Sequence, residues 1–189
     1  FNYNNSSLPD NFSSGMRVTS SDYDKDGDMD LFVGGRVVPG SYPLPAESFL
    51  LENISDGNGI KFRTANDSIF SFKEIGLVTS SVWTDYNNDG WTDLIVVGEW
   101  TPVKFYKNNE GRFTEDNSLI DEDSTRGWWY DIVAEDFDKD GDVDIISGSS
   151  SNVDYFIDKR ILTSTKQTIV EDQNSQIYQL SKFNYQLEK

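Results

Sequence analysis

Apolar residues recur along the chain in short runs separated by Gly, Asn, Asp and Ser, a pattern that favours β-strands joined by turns. No segment has the 3.6-residue period of an amphipathic helix. The clearest runs lie in pairs on either side of an acidic stretch: "MRVTSS" with "LFVGG", "LVTSSVWT" with "LIVVG", and "WWYDIVAE" with "IISG". The pattern therefore predicts three strand–loop–strand segments with acidic loops.

The three acidic stretches share one sequence pattern, Asp-aromatic-Asp/Asn-x-Asp-Gly-x-x-Asp. They are named here loop 1 (22–30, "DYDKDGDMD"), loop 2 (85–93, "DYNNDGWTD") and loop 3 (136–144, "DFDKDGDVD"). A third strand is predicted after each pair, in "SFLLEN", "VKFYKN" and "QIYQL", and then a turn and a strand led by Phe62, Phe113 or Phe183. Four short antiparallel strands per repeat are typical of a β-propeller blade.

We therefore expect an all-β fold made of β-propeller blades of four antiparallel strands, with about three blades visible. Residues 1–189 would form a single partial β-propeller, in which Phe1 ends a preceding blade. The segment 149–176 is polar and longer than its counterparts, and we interpret it as an insertion in the third blade. Three blades leave two open sheet edges, so the chain is expected to belong to a larger protein or to pack against something else.

Charge and composition narrow the range of functions. The 189 residues carry 33 acidic and 16 basic side chains, a net charge of −17, which argues against a nucleic-acid partner because phosphates need Lys and Arg. The absence of Cys and His excludes disulfides, thiolate metal sites and imidazole acid–base catalysis. No apolar run is long enough for a transmembrane segment. Phe1 begins no signal peptide, and the chain starts inside a repeat, which suggests a processed or truncated piece.

The acidic loops predict a metal site. Carboxylates at alternate positions of a Gly-containing loop can converge on one point, and Ca²⁺ takes six to eight such oxygens at about 2.3–2.6 Å. Side chains at the first, third, fifth and ninth positions and the backbone carbonyl at the seventh would be the ligands. The predicted residues are Asp22, Asp24, Asp26, Asp28 and Asp30 in loop 1; Asp85, Asn87, Asp89, Trp91 and Asp93 in loop 2; and Asp136, Asp138, Asp140, Asp142 and Asp144 in loop 3. We expect about three structural Ca²⁺ ions.

Three alternatives to calcium loops fit the sequence less well. An EF-hand needs a bidentate Glu at position 12, where these loops have Val33, Val96 and Ser147. Mg²⁺ resists losing its waters to an all-protein cage. A metal-free acidic surface turn is the third alternative, and three aligned copies of one spacing argue against it.

These residues resemble a known family. The three loops, each followed by Leu or Ile and an apolar run, resemble FG-GAP/VCBS repeats, the calcium-loop blades of integrin-α-like propellers and of many large bacterial secreted proteins. "LFVGGRVVPGSYP" (31–43) and "WTDYNNDGWTDLIVVGEWTPVKFYKN" (83–108) resemble the bacterial group, and the likeness extends over residues 1–148. The resemblance implies a β-propeller, structural Ca²⁺ and an extracellular or cell-surface location, which includes attachment to an outer membrane.

Two further features carry functional hypotheses. Trp128, Trp129 and Tyr130 form an aromatic run that either packs between neighbouring blades or stacks on sugar rings and anchors a partner. Arg36, Glu99 and Trp100 follow the second strands of their repeats, in a connection that is either purely structural or part of a ligand-binding rim.

The sequence thus predicts a calcium-stabilised, non-enzymatic recognition module that binds a protein or a glycan. One alternative is the propeller part of a carbohydrate-active enzyme, which would need a carboxylate pair about 5–9.5 Å apart, with Glu99, Asp131 and Glu135 as candidates, or a Tyr, Lys or Arg in a cleft. Another is a scaffold subunit that completes a larger assembly, in which a parent chain or partner supplies further blades.

Overall fold

The fold was analysed in a computed structural model that describes residues 7–9, 14–65, 70–120, 125–149 and 155–157. The described residues form β1 (Ser14–Ser21), β2 (Asp30–Val37), β3 (Phe49–Asn53), β4 (Phe62–Thr64), β5 (Leu77–Thr84), β6 (Asp93–Thr101), β7 (Lys104–Asn109), β8 (Arg112–Glu115), β9 (Gly127–Glu135), β10 (Asp144–Ser149) and β11 (Tyr155–Ile157). Every pair of neighbouring strands is antiparallel. The predicted all-β class is confirmed.

The strands group into three successive units that follow the sequence repeat. Unit 1 is a four-stranded sheet in the order β1-β2-β3-β4. Unit 2 contains β5 to β8, paired in the same consecutive order, and unit 3 contains β9 to β11. A short pairing of β6 with β9, at Glu99↔Trp128 and Thr101↔Gly127, joins units 2 and 3 into one sheet. In each unit an acidic loop joins the first strand to the second.

Unit 3 differs from the expected repeat at its third strand. Tyr155–Ile157 pair with β10 as β11, inside the segment 149–176 that the sequence predicts to be an insertion. The alternative third strand in 176–180, and the predicted strand at Phe183, lie outside the described residues, as does Phe1. The insertion therefore stays a prediction.

The core lies between the units rather than within them, because neighbouring sheets pack face to face. The central strand β6 shows this most clearly, since successive side chains of a strand point to opposite faces. Leu94 and Val96 join the cluster that contains Phe32 and Leu50 of unit 1. Ile95 and Val97 lie on the opposite face of β6, in a second cluster. This two-sided burial explains why "LIVV" is continuously apolar.

The second cluster lies between units 2 and 3. It includes Phe105 of unit 2 together with Trp129, Ile132 and Ile145 of unit 3. Close approach between units 1 and 2 also depends on Gly34, where an added Cβ would lie 2.5 Å from the Val78 Cγ1. The repeat is thus a stack of small sheets that stabilise one another face to face.

The first strands of the three units run beside one another and are joined by small polar side chains. The Thr19 and Ser81 hydroxyls are 2.9 Å apart, which connects β1 to β5. The Ser80 hydroxyl donates to Asp131 Oδ1 at 2.6 Å, and the Thr79 hydroxyl donates to the Trp129 carbonyl at 2.8 Å, which connect β5 to β9. This arrangement places the three acidic loops at one end of the stack.

Candidate metal centre and the opposite face

The three acidic loops have the same backbone conformation. The fourth residue of each loop has a positive φ angle near 60°: Lys25 (61°), Asn88 (57°) and Lys139 (64°). The glycine at the sixth position has a φ angle near 90°: Gly27 (98°), Gly90 (89°) and Gly141 (95°). Glycine tolerates such angles without steric cost, which explains the Gly at the sixth position of each loop. In loops 1 and 3 the shared turn brings the carboxylates of the first, third and ninth positions near one another.

Each loop is held closed by hydrogen bonds from its own backbone to its own acidic side chains. The amide of the sixth-position Gly donates to Oδ2 of the first Asp: Gly27 to Asp22 (3.1 Å), Gly90 to Asp85 (2.8 Å) and Gly141 to Asp136 (3.0 Å). The amide of the seventh residue donates to Oδ1 of the fifth: Asp28 to Asp26 (2.9 Å), Trp91 to Asp89 (2.9 Å) and Asp142 to Asp140 (3.0 Å). The sequence motif therefore encodes the turn itself as well as its charge.

The ninth-position aspartates are the buried members of the loops. Asp30, Asp93 and Asp144 are at most 1% exposed, because each begins the second strand of its unit. The backbone amide of Asn53 donates to Asp30 Oδ1 at 2.8 Å, and that of Asn108 donates to Asp93 Oδ1 at 2.7 Å. One oxygen of Asp30 and one of Asp93 are thereby fixed to the third strands of their units, whereas Asp144 accepts from the backbone amide of Phe137 in its own loop at 3.0 Å.

Loops 1 and 3 each bring three carboxylates together. One oxygen from each of Asp22, Asp24 and Asp30 lies within 4.8 Å of the other two, and the same holds for Asp136, Asp138 and Asp144. In loop 1, Asp22 Oδ1 and Asp30 Oδ2 are buried and have no hydrogen-bond partner. Buried oxygens are rarely left without a partner, so this donor set fits a cation. The arrangement could hold a metal ion.

The electrostatics of the buried aspartates agree with this interpretation. Burial, assisted by the nearby Asp24 charge, raises the pKa of Asp30 to about 6, although the Asn53 amide opposes the shift. Burial likewise raises the pKa of Asp93 to about 7, with the charges of Asp89 and Asp85 adding to it. The ionised carboxylates of Asp30 and Asp93 therefore raise the free energy of the folded protein unless a positive charge compensates them.

Loop 2 has a different internal arrangement. Its third position is Asn87, whose amide nitrogen donates to Asp93 Oδ2 at 3.1 Å. The carboxylate of Asp89 forms an ion pair with Lys107 at 3.2 Å. Among the described residues, this loop brings together no group of three carboxylates comparable with those of loops 1 and 3.

Neighbouring loops contact one another. The Lys25 ammonium of loop 1 lies 4.1 Å from the centre of the Trp91 ring of loop 2. The Asn88 side chain of loop 2 donates to Asp142 of loop 3 at 3.2 Å. Trp91, predicted to contribute a backbone carbonyl, thus also uses its side chain to bridge two loops.

Sequence reasoning missed two asparagines that support the loops. Asn108 is fully buried, and its side-chain nitrogen donates to the carbonyls of Tyr23 in loop 1 (2.8 Å) and Thr92 in loop 2 (2.9 Å). Asn53 occupies the same place in unit 1 and donates to the Met29 carbonyl at 3.1 Å. The signal that could have found them is the Asn that ends both "SFLLEN" and "VKFYKN".

The residues of the predicted rim lie at the ends of the second strands, opposite to the acidic loops. Glu99 is 1% exposed and forms an ion pair with Arg36 of unit 1, which also donates from Nε at 2.9 Å. Trp100 is 53% exposed. The aromatic run is only partly a packing feature. Trp129 lies in the second cluster, whereas Trp128 contacts the Trp100 ring and Tyr130 is exposed.

Two of the three carboxylates considered for catalysis lie far apart. Glu135 lies seven residues along β9 from Trp128, the partner of Glu99, a separation of roughly 23 Å at 3.3 Å per residue. Asp131 accepts hydrogen bonds from Ser80 and from the backbone of Ile132. Glu99 and Glu135 are therefore much farther apart than the two carboxyl groups of a glycosidase.

Comparison with known proteins supports the repeat. A protein-family model described as an FG-GAP-like repeat matches residues 85–147, about a third of the chain, from the start of loop 2 into β10. The FG-GAP resemblance is thereby confirmed for this part, and the chain contains an FG-GAP-like repeat. No curated protein matches the chain. Among the residues that the structure describes, no helix has the length and apolar character needed to cross a bilayer.

Proposed function

We propose that the chain is a calcium-stabilised, non-enzymatic recognition module of an extracellular or cell-surface protein. The observation that carries the proposal is the convergence of Asp22, Asp24 and Asp30 on one point, with two buried oxygens that lack partners. An all-oxygen, flexible loop site suits Ca²⁺ better than Mg²⁺, which keeps several waters. The ion would compensate the carboxylates that burial makes costly and would fix the turn between two strands.

The three units would be consecutive blades of a β-propeller, and the exposed faces at the two ends support this. In unit 2, Val82 and Ile95 are cross-strand partners covered by unit 3. The equivalent pair in unit 3 is Val133 and Ile146, of which Val133 is 47% exposed. An apolar face that is covered in one repeat and open in the next indicates that a further repeat belongs there.

The aromatic residue at the second position of each loop also supports the presence of further repeats. Tyr23 packs on Phe113 of the next unit, with ring centres 5.6 Å apart, and Tyr86 packs in the cluster shared with unit 3. Phe137 of loop 3 has the same position but is 43% exposed. At the other end, Val18 of unit 1 is 58% exposed. A parent chain or a larger assembly would supply the blades that cover these residues.

An extracellular location would suit calcium loops of this kind. Calcium sites of extracellular modules bind with Kd near 10⁻⁴–10⁻³ M, far above the free calcium of a cytoplasm. FG-GAP-like repeats suggest a module of this kind. A protein or a glycan would be the recognised ligand, and the wide separation of Glu99 and Glu135 favours recognition over hydrolysis.

Isothermal titration calorimetry of the metal-stripped, full 189-residue chain tests the calcium proposal. We expect about three Ca²⁺ ions to bind per chain at submillimolar to millimolar concentration. Mg²⁺ should bind more weakly, because it would have to exchange most of its water ligands for protein oxygens. Absence of calcium uptake at millimolar concentration would contradict the proposal. Equal affinity for both ions would contradict the assignment to calcium.

A further inference from the structure

Three aromatic side chains, one from each unit, meet at the end of the stack opposite to the acidic loops. They are Tyr42, in the connection from β2 to β3, Trp100, at the end of β6, and Trp128, at the start of β9. Tyr42 and Trp100 are 55% and 53% exposed. We call this group the aromatic platform. It joins two features that looked unrelated in the sequence, the predicted rim and the Trp-Trp-Tyr run.

The platform is rigid although it faces solvent. The Trp100 indole nitrogen donates to the Tyr42 hydroxyl at 3.0 Å, and the Trp100 and Trp128 ring centres lie 5.0 Å apart. Arg126 Nη1 donates to the Trp100 carbonyl at 3.0 Å. A ligand that stacked on these rings would therefore not need to order them first, which lowers the entropic cost of binding.

The backbone of Trp100 is held in an unusual conformation. Its φ is +60°, a left-handed value that is rare for a bulky residue and carries steric strain. Residues in such conformations cluster at binding and catalytic sites, because the surrounding structure must maintain the strain. Here the strain keeps a large indole on the surface instead of in the core.

We propose that the aromatic platform binds a neutral glycan, with a pyranose ring stacked on Trp100. This inference rests on the proposed recognition function and names its ligand class and its site. A pyranose ring has an apolar C–H face and a polar rim of hydroxyls, and the platform offers aromatic faces bordered by the Tyr42 hydroxyl and the Arg126 guanidinium. Indole and phenol rings combine apolar area with a polar group in the way that this ligand requires.

Charge and size favour a neutral glycan over an anionic polymer or a protein as the ligand of the platform. The chain carries a net charge of −17, which repels polyanions. Arg36 beside the platform is paired with Glu99, so of Arg36 and Arg126 only the latter would attract an anion. Two half-exposed rings and the less exposed Trp128 ring present roughly 250 Å² of surface, whereas a stable protein interface buries about 800 Å² per partner. The platform is the size of one or two sugar rings.

The test uses the full 189-residue chain in saturating calcium and four soluble neutral polysaccharides, namely a β-glucan, a mannan, a xylan and dextran, with polygalacturonate as the anionic arm. Affinity electrophoresis followed by calorimetry should show binding to at least one neutral polymer. Trp100→Gly should weaken that binding at least tenfold. Because glycine accepts φ of +60°, this variant relieves strain, and its melting temperature should not fall.

Two further variants locate the site. Tyr42→Phe removes one hydroxyl and keeps the ring, so we expect a loss of about threefold, the size of one modest hydrogen bond. Ile60→Ala removes an apolar side chain that is 69% exposed in the turn between β3 and β4, at the end of the stack that carries the acidic loops, and it should leave binding unchanged. Binding that survives Trp100→Gly, binding to polygalacturonate alone, or no binding to any polymer would each overturn the proposal.

Calcium uptake measured on the same samples distinguishes a failure of the glycan-site proposal from a failure of the proposed function. A chain that binds calcium and melts cooperatively but binds no polymer would leave the calcium module intact and refute the glycan site. A chain that binds no calcium would refute the module, whatever the polymers do.

Discussion

Saturating calcium is expected to raise the free energy of unfolding of the chain by about 4 kcal/mol relative to the chelated protein. An ion at ten times its Kd adds roughly 1.4 kcal/mol per site, and three independent sites sum to about 4 kcal/mol. The physical origin is electrostatic, because the ion replaces repulsion among five aspartates in loop 1 and five in loop 3 by attraction. Urea denaturation in calcium and in chelator measures the difference.

The matching control is magnesium at the same ionic strength. If the gain came from general screening of the −17 net charge, magnesium would stabilise the protein as much as calcium does. We expect most of the gain to need calcium. An increase that depends on ionic strength alone would contradict the account.

Replacing Asn108 with Ala is expected to destabilise the calcium-loaded protein by about 3 kcal/mol. The fully buried side chain donates to the carbonyls of Tyr23 and Thr92 and accepts from the amide of Gly111 at 2.8 Å. The substitution leaves three backbone groups without partners, and each buried unsatisfied group costs about 1–3 kcal/mol before water relieves part of the cost. Chemical denaturation of the variant and the wild type gives the value.

Asn53→Ala is the matched control for this prediction. Asn53 has the same position in unit 1, donates to the Met29 carbonyl and accepts from the Ser55 amide at 3.0 Å, but it is only half-buried. Water can replace its hydrogen bonds, so we expect a loss of about 1 kcal/mol. Equal losses in the two variants would show that Asn108 does not hold loops 1 and 2 together.

Local structure was predictable from the sequence where one short segment determines it. The run "LVTSSVWT" coincides with β5, and the conformation of the loops follows from a Gly and several Asp residues at fixed spacing. The strand β11 was not predicted, because the apolar run Tyr155–Ile157 is only three residues long and lies in an otherwise polar segment. Pairing with β10, a tertiary contact, determines this strand.

Contacts between units could not be predicted, because a repeat period does not say which side chains of neighbouring repeats face one another. Arg36 and Glu99 occupy equivalent places in their repeats, and only the face-to-face packing of units 1 and 2 makes them an ion pair. Asn108 appears in the sequence as the last residue of a strand, and its role depends on loop 1 lying beside it. The aromatic platform has the same origin, since each unit contributes one ring.

The most direct test of the central claim is the melting temperature of the wild type and of Asp26→Ala, each in saturating calcium and in chelator. Asp26 is an exposed loop residue whose carboxylate accepts only a local bond from Asp28, so its removal should cost little in the absence of metal. We predict that calcium raises the melting temperature of the wild type by several degrees and that of the variant by clearly less. If both proteins melt at one temperature with calcium and with chelator, the loops hold no stabilising ion and the account is wrong.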